Sequence, residues 1–146
     1  MHDGQNLFDP WEAAFGVEWE VDETLDRLTA AGLVEEHIVV GVHNTAERVG
    51  DYTPDADPEY GGGNGDLYIA LLVDVLKPIV DSRFRTLCGR RNTGLAGSSL
   101  GGLITLHAVL AAGDTFGRLG SVSPSLWWNG GSVLRAFESH SGPLPA

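Results

Sequence analysis

Apolar residues at Trp19, Val21, Leu25, Leu28 and Ala31 recur at helical spacing, with Glu20, Asp22, Glu23 and Asp26 between them. The pattern predicts an amphipathic helix closed by Gly32. Ile38-Val39-Val40-Gly41-Val42 is a β-branched run of the kind found in a buried parallel strand. Tyr68, Leu71, Leu72, Val75, Leu76 and Ile79 predict a second amphipathic helix, which Pro78 kinks or ends. Thr93-Gly94-Leu95-Ala96 reads as a short buried strand, Leu103 to Leu110 as a packed helix, and Leu119 to Ser123 as a further short strand. Turn-forming residues fill the gaps. His2 to Gly16 is broken by Gly4, Asn6, Asp9, Pro10 and Gly16, and Asn44 to Gly65 is a long polar loop. Its Gly61-Gly62-Gly63-Asn64-Gly65 run lacks the Lys-Ser/Thr of a phosphate-binding loop and reads as a flexible connector. From about residue 130 the chain reads as a loose tail, apart from a short helix around Val133 to Phe137. Strands alternating with helices indicate an α/β fold, a mostly parallel sheet flanked by helices. No internal repeat or domain linker is visible, so residues 1–146 read as a single domain.

Composition narrows the partners. Twenty acidic residues against nine basic ones give a net charge of −11, which disfavours phosphate backbones and anionic membrane surfaces. Neither a nucleic-acid nor a membrane partner is expected, and the acidic residues read as a solvated surface. Cys88 is the sole cysteine, so no intrachain disulfide or thiolate metal cluster is expected. His2-Asp3-Gly4 directly after Met1 is unlike a signal peptide. The sequence leaves compartment and oligomeric state open, with the cytoplasm as the default.

The chemistry gathers where strands end, as it does in open parallel sheets. Asp3-Gly4-Gln5, His43-Asn44, Ser99 and Ser123-Pro124 all fall at such ends. Gly97-Ser98-Ser99-Leu100-Gly101 lies between a predicted strand and a predicted helix. That order suits a nucleophile elbow, in which a sharp turn exposes a serine hydroxyl and small residues stand two before and two after it. The alternative is a glycine-rich turn in which the serine caps the helix.

Several motifs together resemble the putative-esterase branch of the α/β-hydrolases, which includes esterase D-like enzymes, enterobactin esterases, feruloyl and other carbohydrate esterases, and mycolyltransferases. They are Met1-His2-Asp3-Gly4-Gln5-Asn6-Leu7-Phe8, Trp19 to Leu28, Ile38 to Asn44, and Arg48 with Asp51-Tyr52-Thr53-Pro54. Lys77-Pro78-Ile79-Val80-Asp81, Gly97 to Gly102 and Ser123-Pro124-Ser125-Leu126-Trp127-Trp128 complete the series, in the family's order. The resemblance implies a serine hydrolase that cleaves carboxylic esters through an acyl-enzyme on Ser99. It also implies an oxyanion hole formed by the backbone N–H groups of Leu100 and Gln5. No cofactor and no metal are implied. The substrate would be a small-molecule or carbohydrate ester.

The chain departs from that pattern after Ser99. The acids there are Asp114 and Glu138, and the histidines are His107 and His140. His107 falls two turns into the predicted helix and reads as a helix-face residue, and Asp114 reads as a capping or solvated residue. Glu138 and His140 have the order of a triad's acid and base but lie too close behind the tryptophans. The expectation is therefore a partial α/β-hydrolase fold, an internal fragment lacking the first strands and the C-terminal part, and with them the catalytic acid and histidine. Trp127 and Trp128 could wall a substrate pocket, or one of them could pack in the core. Arg48 could meet a substrate anion or pair with an acid such as Asp51. An acyltransferase or peptidase on the same scaffold, or a non-catalytic binding module, are the alternative readings.

Overall fold

The structure, a computed structural model, describes residues 1–141, so the end of the predicted tail lies outside the described residues. The chain divides into two compact units, Met1–Thr45 and a second from Ala46 onward.

In the first unit a 3-10 turn at Gly4–Asn6 precedes helix α1, Val21–Ala30. Two acids in its first turn suit the helix dipole, and Gly32, at φ 68°, follows its last turn as expected. The helix forms where the periodicity places it, yet none of its residues is buried. The expected strand over residues 38–42 does not form. A single parallel bridge joins Val42 to His2, and Ile38 is 52% exposed. Among the described residues only Met1 to Gly4 runs alongside, with Val42 N–H donating to Met1 O and Gly4 N–H donating to Val42 O. A β-branched run becomes a buried strand only where neighbours pair with it, and this one has a partner for one residue.

The second unit carries most of the core. Helix α2 (Arg48–Asp51) leads into a small antiparallel pair, β1 (Ala56–Asp57) with β2 (Gly61–Gly62). The glycine run is therefore no flexible connector. A Cβ on Gly62, at φ 87°, would lie 2.3 Å from Thr53 Oγ1 and 3.0 Å from the Trp128 ring, so only glycine lets the hairpin close on the core. Helix α3 (Gly65–Leu71) continues through a π-helical turn at Leu72–Leu76 into α4 (Lys77–Arg83). Pro78 thus neither ends the helix nor starts a loop. Its ring opposes the carbonyl four residues back, at Asp74, and the wider π-turn holds that carbonyl away. Along α4, Lys77 Nζ at its start lies 2.6 Å from Asp81, and Thr86 Oγ1, just past its end, donates to the same carboxylate. The lysine first, then the threonine, hold the Asp81 carboxyl below its ordinary pKa.

Strand β3 (Gly94–Ser98), helix α5 (Leu100–Ala112) and strand β4 (Arg118–Val122) form the centre of this unit. The two strands pair in parallel from Gly94–Arg118 to Ser98–Val122, as the alternation of strand and helix predicts. Helix α5 is apolar on almost every face, and Leu103, Ile104, Thr105 and Ala108 are completely buried. With it the core of this unit holds Leu95, Ile69, Leu72, Phe116 and the tilted ring pair Tyr52–Tyr68, with centroids 5.1 Å apart. Helix α6 (Ser132–Ser139) covers the predicted Val133–Phe137 segment and buries Val133.

Candidate active site

Ser99 occupies the single residue between β3 and α5. Its backbone sits at φ 56°, ψ −119°, a conformation that side-chain-bearing residues rarely adopt. Three backbone hydrogen bonds hold it there. Ser99 N–H donates to Val122 O at 3.1 Å, while Ser99 O accepts from Leu103 N–H and Ser125 N–H, both at 3.0 Å. The flanking glycines make this tight approach possible. Gly97, Gly101 and Gly102 are buried, and a Cβ on Gly102 would lie 3.1 Å from Val122 O. The turn presents the Ser99 side chain outward, and the residue is exposed. Leu100 N–H is the first of helix α5, one of the donors that a helix leaves without an internal acceptor and on which its positive dipole end is concentrated. Such a donor beside a serine hydroxyl stabilises negative charge that develops there.

The loop after β4 returns to the same place. Ser123 has φ 42°, Pro124 follows, and Ser125 turns inward to 6% exposure. Its Oγ lies 3.2 Å from Ser99 Oγ. Of the two tryptophans, Trp128 is buried at 2% exposure and donates its indole N–H to Asp55 O at 2.9 Å. Trp127 is 61% exposed and meets Tyr60 edge-on at 6.0 Å between ring centroids. Asp55 also accepts from Ser132 Oγ at 2.7 Å and from the Asn129 side-chain amide, which ties the β1–β2 hairpin to the turn before α6.

Arg48 stacks its guanidinium over the Tyr52 ring, 5.1 Å from the centroid. His107 lies on α5 as a helix-face residue, its Nε2 2.7 Å from Asp66 Oδ1 on α3. Glu138 lies in the last turn of α6 and His140 directly after it, and both are exposed. The structure thus gathers Ser99, Leu100, Ser125 and the end of β4, while His107 is engaged elsewhere.

In the first unit, Gln5 stands in the 3-10 turn that follows the His2–Val42 bridge. A Cβ on Gly4 would come within 2.5 Å of Gly41 C and 2.7 Å of Val42 N, so a glycine is needed for the turn to lie against that segment. Asp3 adopts a left-handed conformation at φ 54°. Asn44 secures the turn, its Nδ2 donating to Asp3 Oδ1 at 2.6 Å and its backbone N–H to Gln5 Oε1 at 3.2 Å.

Sequence reasoning gave Ser125, Asp55 and Tyr60 no role. Asp55 and Tyr60 lie in what reads as featureless polar loop, and pairings across some seventy residues leave no local signal. Ser125 sits inside a recognisable motif, where its position after a strand end was the available clue.

The siderophore triacetylfusarinine C esterase of Aspergillus fumigatus is 32% identical over 99 residues, which are 67% of this chain and 34% of that protein. Among solved structures, the BES protein from Bacillus cereus superposes with a TM-score of 0.76 at 27% identity, covering 94% of this chain and 52% of that one. The siderophore hydrolase EstA from Aspergillus nidulans gives 0.69 at 26% identity, covering 94% and 48%. The chain therefore spans about half the length of these solved structures and about a third of the curated relative. Its mixed α/β fold, with small sheet pieces, is that of α/β-hydrolase esterases over roughly half their extent. Residues 1–142 match the family described as "Putative esterase", and the chain belongs to that esterase family.

Proposed function

We propose that this chain carries the nucleophile and oxyanion-binding half of a serine hydrolase that cleaves carboxylic esters of small molecules. The observation that carries the reading is the Ser99 turn, in which a strained, exposed serine is pinned by backbone bonds between a parallel strand and an apolar helix. This is the arrangement a nucleophile elbow requires. Ser99 Oγ attacks the ester carbonyl, the alcohol leaves, and water hydrolyses the resulting acyl-enzyme. Leu100 N–H donates to the oxyanion of each tetrahedral intermediate, and Gln5 N–H is the second donor that the family resemblance implies; losing one such donor typically costs about 3–4 kcal/mol of transition-state stabilisation. Trp127 offers an exposed aromatic wall to the substrate, whereas Trp128 supports it from the core. Arg48 is the cationic contact for an anionic group of the substrate.

His107 is not the proton acceptor for Ser99 in this reading, because its imidazole is paired with Asp66 on α3. Two relatives are named for siderophore hydrolysis, which favours a siderophore ester as substrate over a carbohydrate ester.

The test is covalent labelling by an alkyl fluorophosphonate in the natural polypeptide that contains these residues, followed by peptide mapping. Label on Ser99, absent from Ser99→Ala together with all ester turnover, supports the reading. Turnover that survives in Ser99→Ala refutes it.

A further inference from the structure

We propose that Ser125 is a positioning residue that fixes the Ser99 hydroxyl and stabilises it as its proton departs. The inference rests on the reading of Ser99 as nucleophile. Ser125 is 6% exposed, and a buried hydroxyl without a hydrogen bond is costly. The bond it makes is to the exposed Ser99 Oγ, at 3.2 Å. Ser125 cannot easily move away, because its N–H donates to Ser99 O at 3.0 Å and its carbonyl accepts from Trp128 N–H at 3.1 Å. The buried Trp128 ring, held by Asp55, anchors the other end of that turn.

An exposed serine ordinarily samples three side-chain rotamers. A fixed partner on one side selects one of them. In the free protein either hydroxyl can donate. Once Ser99 directs its own proton to a base, Ser125 O–H becomes the donor and Ser99 Oγ the acceptor. Negative charge grows on Ser99 Oγ as the proton leaves, and a hydrogen bond to a charged acceptor is stronger than one to a neutral acceptor. Ser125 therefore acts on the bond-forming step through Ser99, and substrate affinity is not its concern.

The experiment is the fluorophosphonate reaction on the natural polypeptide, resolved into the binding constant KI and the limiting rate kinact. In that reaction the Ser99 Oγ–P bond forms, fluoride leaves, and the hydroxyl proton passes to the base. Ser125→Ala is expected to lower kinact about tenfold, the effect of one hydrogen bond of ordinary strength. KI and the thermal midpoint should stay at wild-type values, since the backbone bonds remain. Ser125→Thr, which keeps the hydroxyl, should recover most of the rate. Ser125→Cys, of similar size with a weak donor, should fall between, so the test still decides if one variant fails to fold. A wild-type kinact in Ser125→Ala overturns the proposal, as does a loss confined to KI or thermal stability. Absence of label on Ser99 in the wild-type protein overturns it too, but by removing the nucleophile reading beneath it, a result that peptide mapping tells apart.

Discussion

Two tight turns follow β-paired segments in this molecule, and each begins with a non-glycine residue at positive φ, Ser99 at φ 56° and Asp3 at φ 54°. They are held differently, although both use backbone bonds, those of the second running from Gly4 N–H to Val42 O and from Asn6 N–H to Asp3 O. The Ser99 turn stands between a five-pair parallel ladder and a 13-residue buried helix, and its backbone makes the bonds that hold it. The Asp3 turn stands on one bridge, and its carboxylate is buried and bonded to Asn44. A turn secured by backbone leaves its side chain free for chemistry. One secured by its side chain can offer little besides its N–H groups. That difference matches the roles proposed for the two, a hydroxyl nucleophile at Ser99 and a backbone donor at Gln5.

The largest effect expected comes from forcing a Cβ into the packing of each unit. Gly62→Ala places a methyl 2.3 Å from Thr53 Oγ1 at a positive φ, in contact with the core that supports the Ser99 turn. Overpacking and backbone strain together should cost about 3 kcal/mol, seen as a lowered urea midpoint. Gly4→Ala would meet backbone atoms of Gly41 and Val42 at 2.5–2.8 Å, which can yield only if that segment itself shifts. It is expected to open the His2–Val42 pairing, with faster amide exchange at Gly4 and Val42 and a much smaller midpoint change. If Gly4→Ala lowers the midpoint as much as Gly62→Ala does, the first unit is as tightly built as the second and the contrast fails.

The same contrast explains what the sequence disclosed. Helix α5, strands β3 and β4 and the serine between them were legible because local pattern and tertiary need agree: small residues at the turn, apolar residues all along the helix. Ile38 to Val42 misled because β-branching states a preference, whereas a strand is made by its neighbours. The Gly61–Gly65 run misled for a related reason. Glycine marks either freedom or close approach, and only Thr53 and Trp128, distant in sequence, decide between them. Pro78 reads as a helix breaker because a π-turn has no sequence signature of its own. At the site, Ser99 and Leu100 could be named from the motif, but the Ser125 contact depends on the path of the loop after β4.

Relieving the strain at each turn sharpens the comparison at a smaller scale. Ser99→Gly relieves a strained conformation and breaks no backbone bond, but it leaves the buried Ser125 hydroxyl without its partner, so the net rise in stability should stay under about 1 kcal/mol while labelling disappears. Asp3→Gly should have the opposite sign. Aspartate tolerates the left-handed region better than most residues, and the variant loses the 2.6 Å bond to Asn44, for a net loss of about 1 kcal/mol. Urea midpoints of the two variants, measured side by side, check both signs. Equal shifts would mean that side-chain and backbone restraint matter alike at the two turns.

The smallest effect is a pH dependence that should leave the Ser99 turn untouched. Lys77 and Thr86 lower the Asp81 pKa in the folded chain relative to its unfolded value near 3.9. A lowered folded pKa means that the carboxylate stabilises the fold fully above the unfolded value, and that this contribution is lost as pH falls through the folded one. The end of α4 and the chain through Thr86 should therefore loosen in acid below the usual carboxylate range. Asp81→Asn should remove that component and flatten the thermal midpoint over the same interval. Peptide N–H and C=O groups do not titrate there, so the bonds from Ser99 N–H to Val122 O and from Ser125 N–H to Ser99 O should keep their amide protection. Loss of protection at Ser99 in step with Asp81 protonation would show that the turn leans on titrating side chains after all, and would erase its difference from the turn at Asp3.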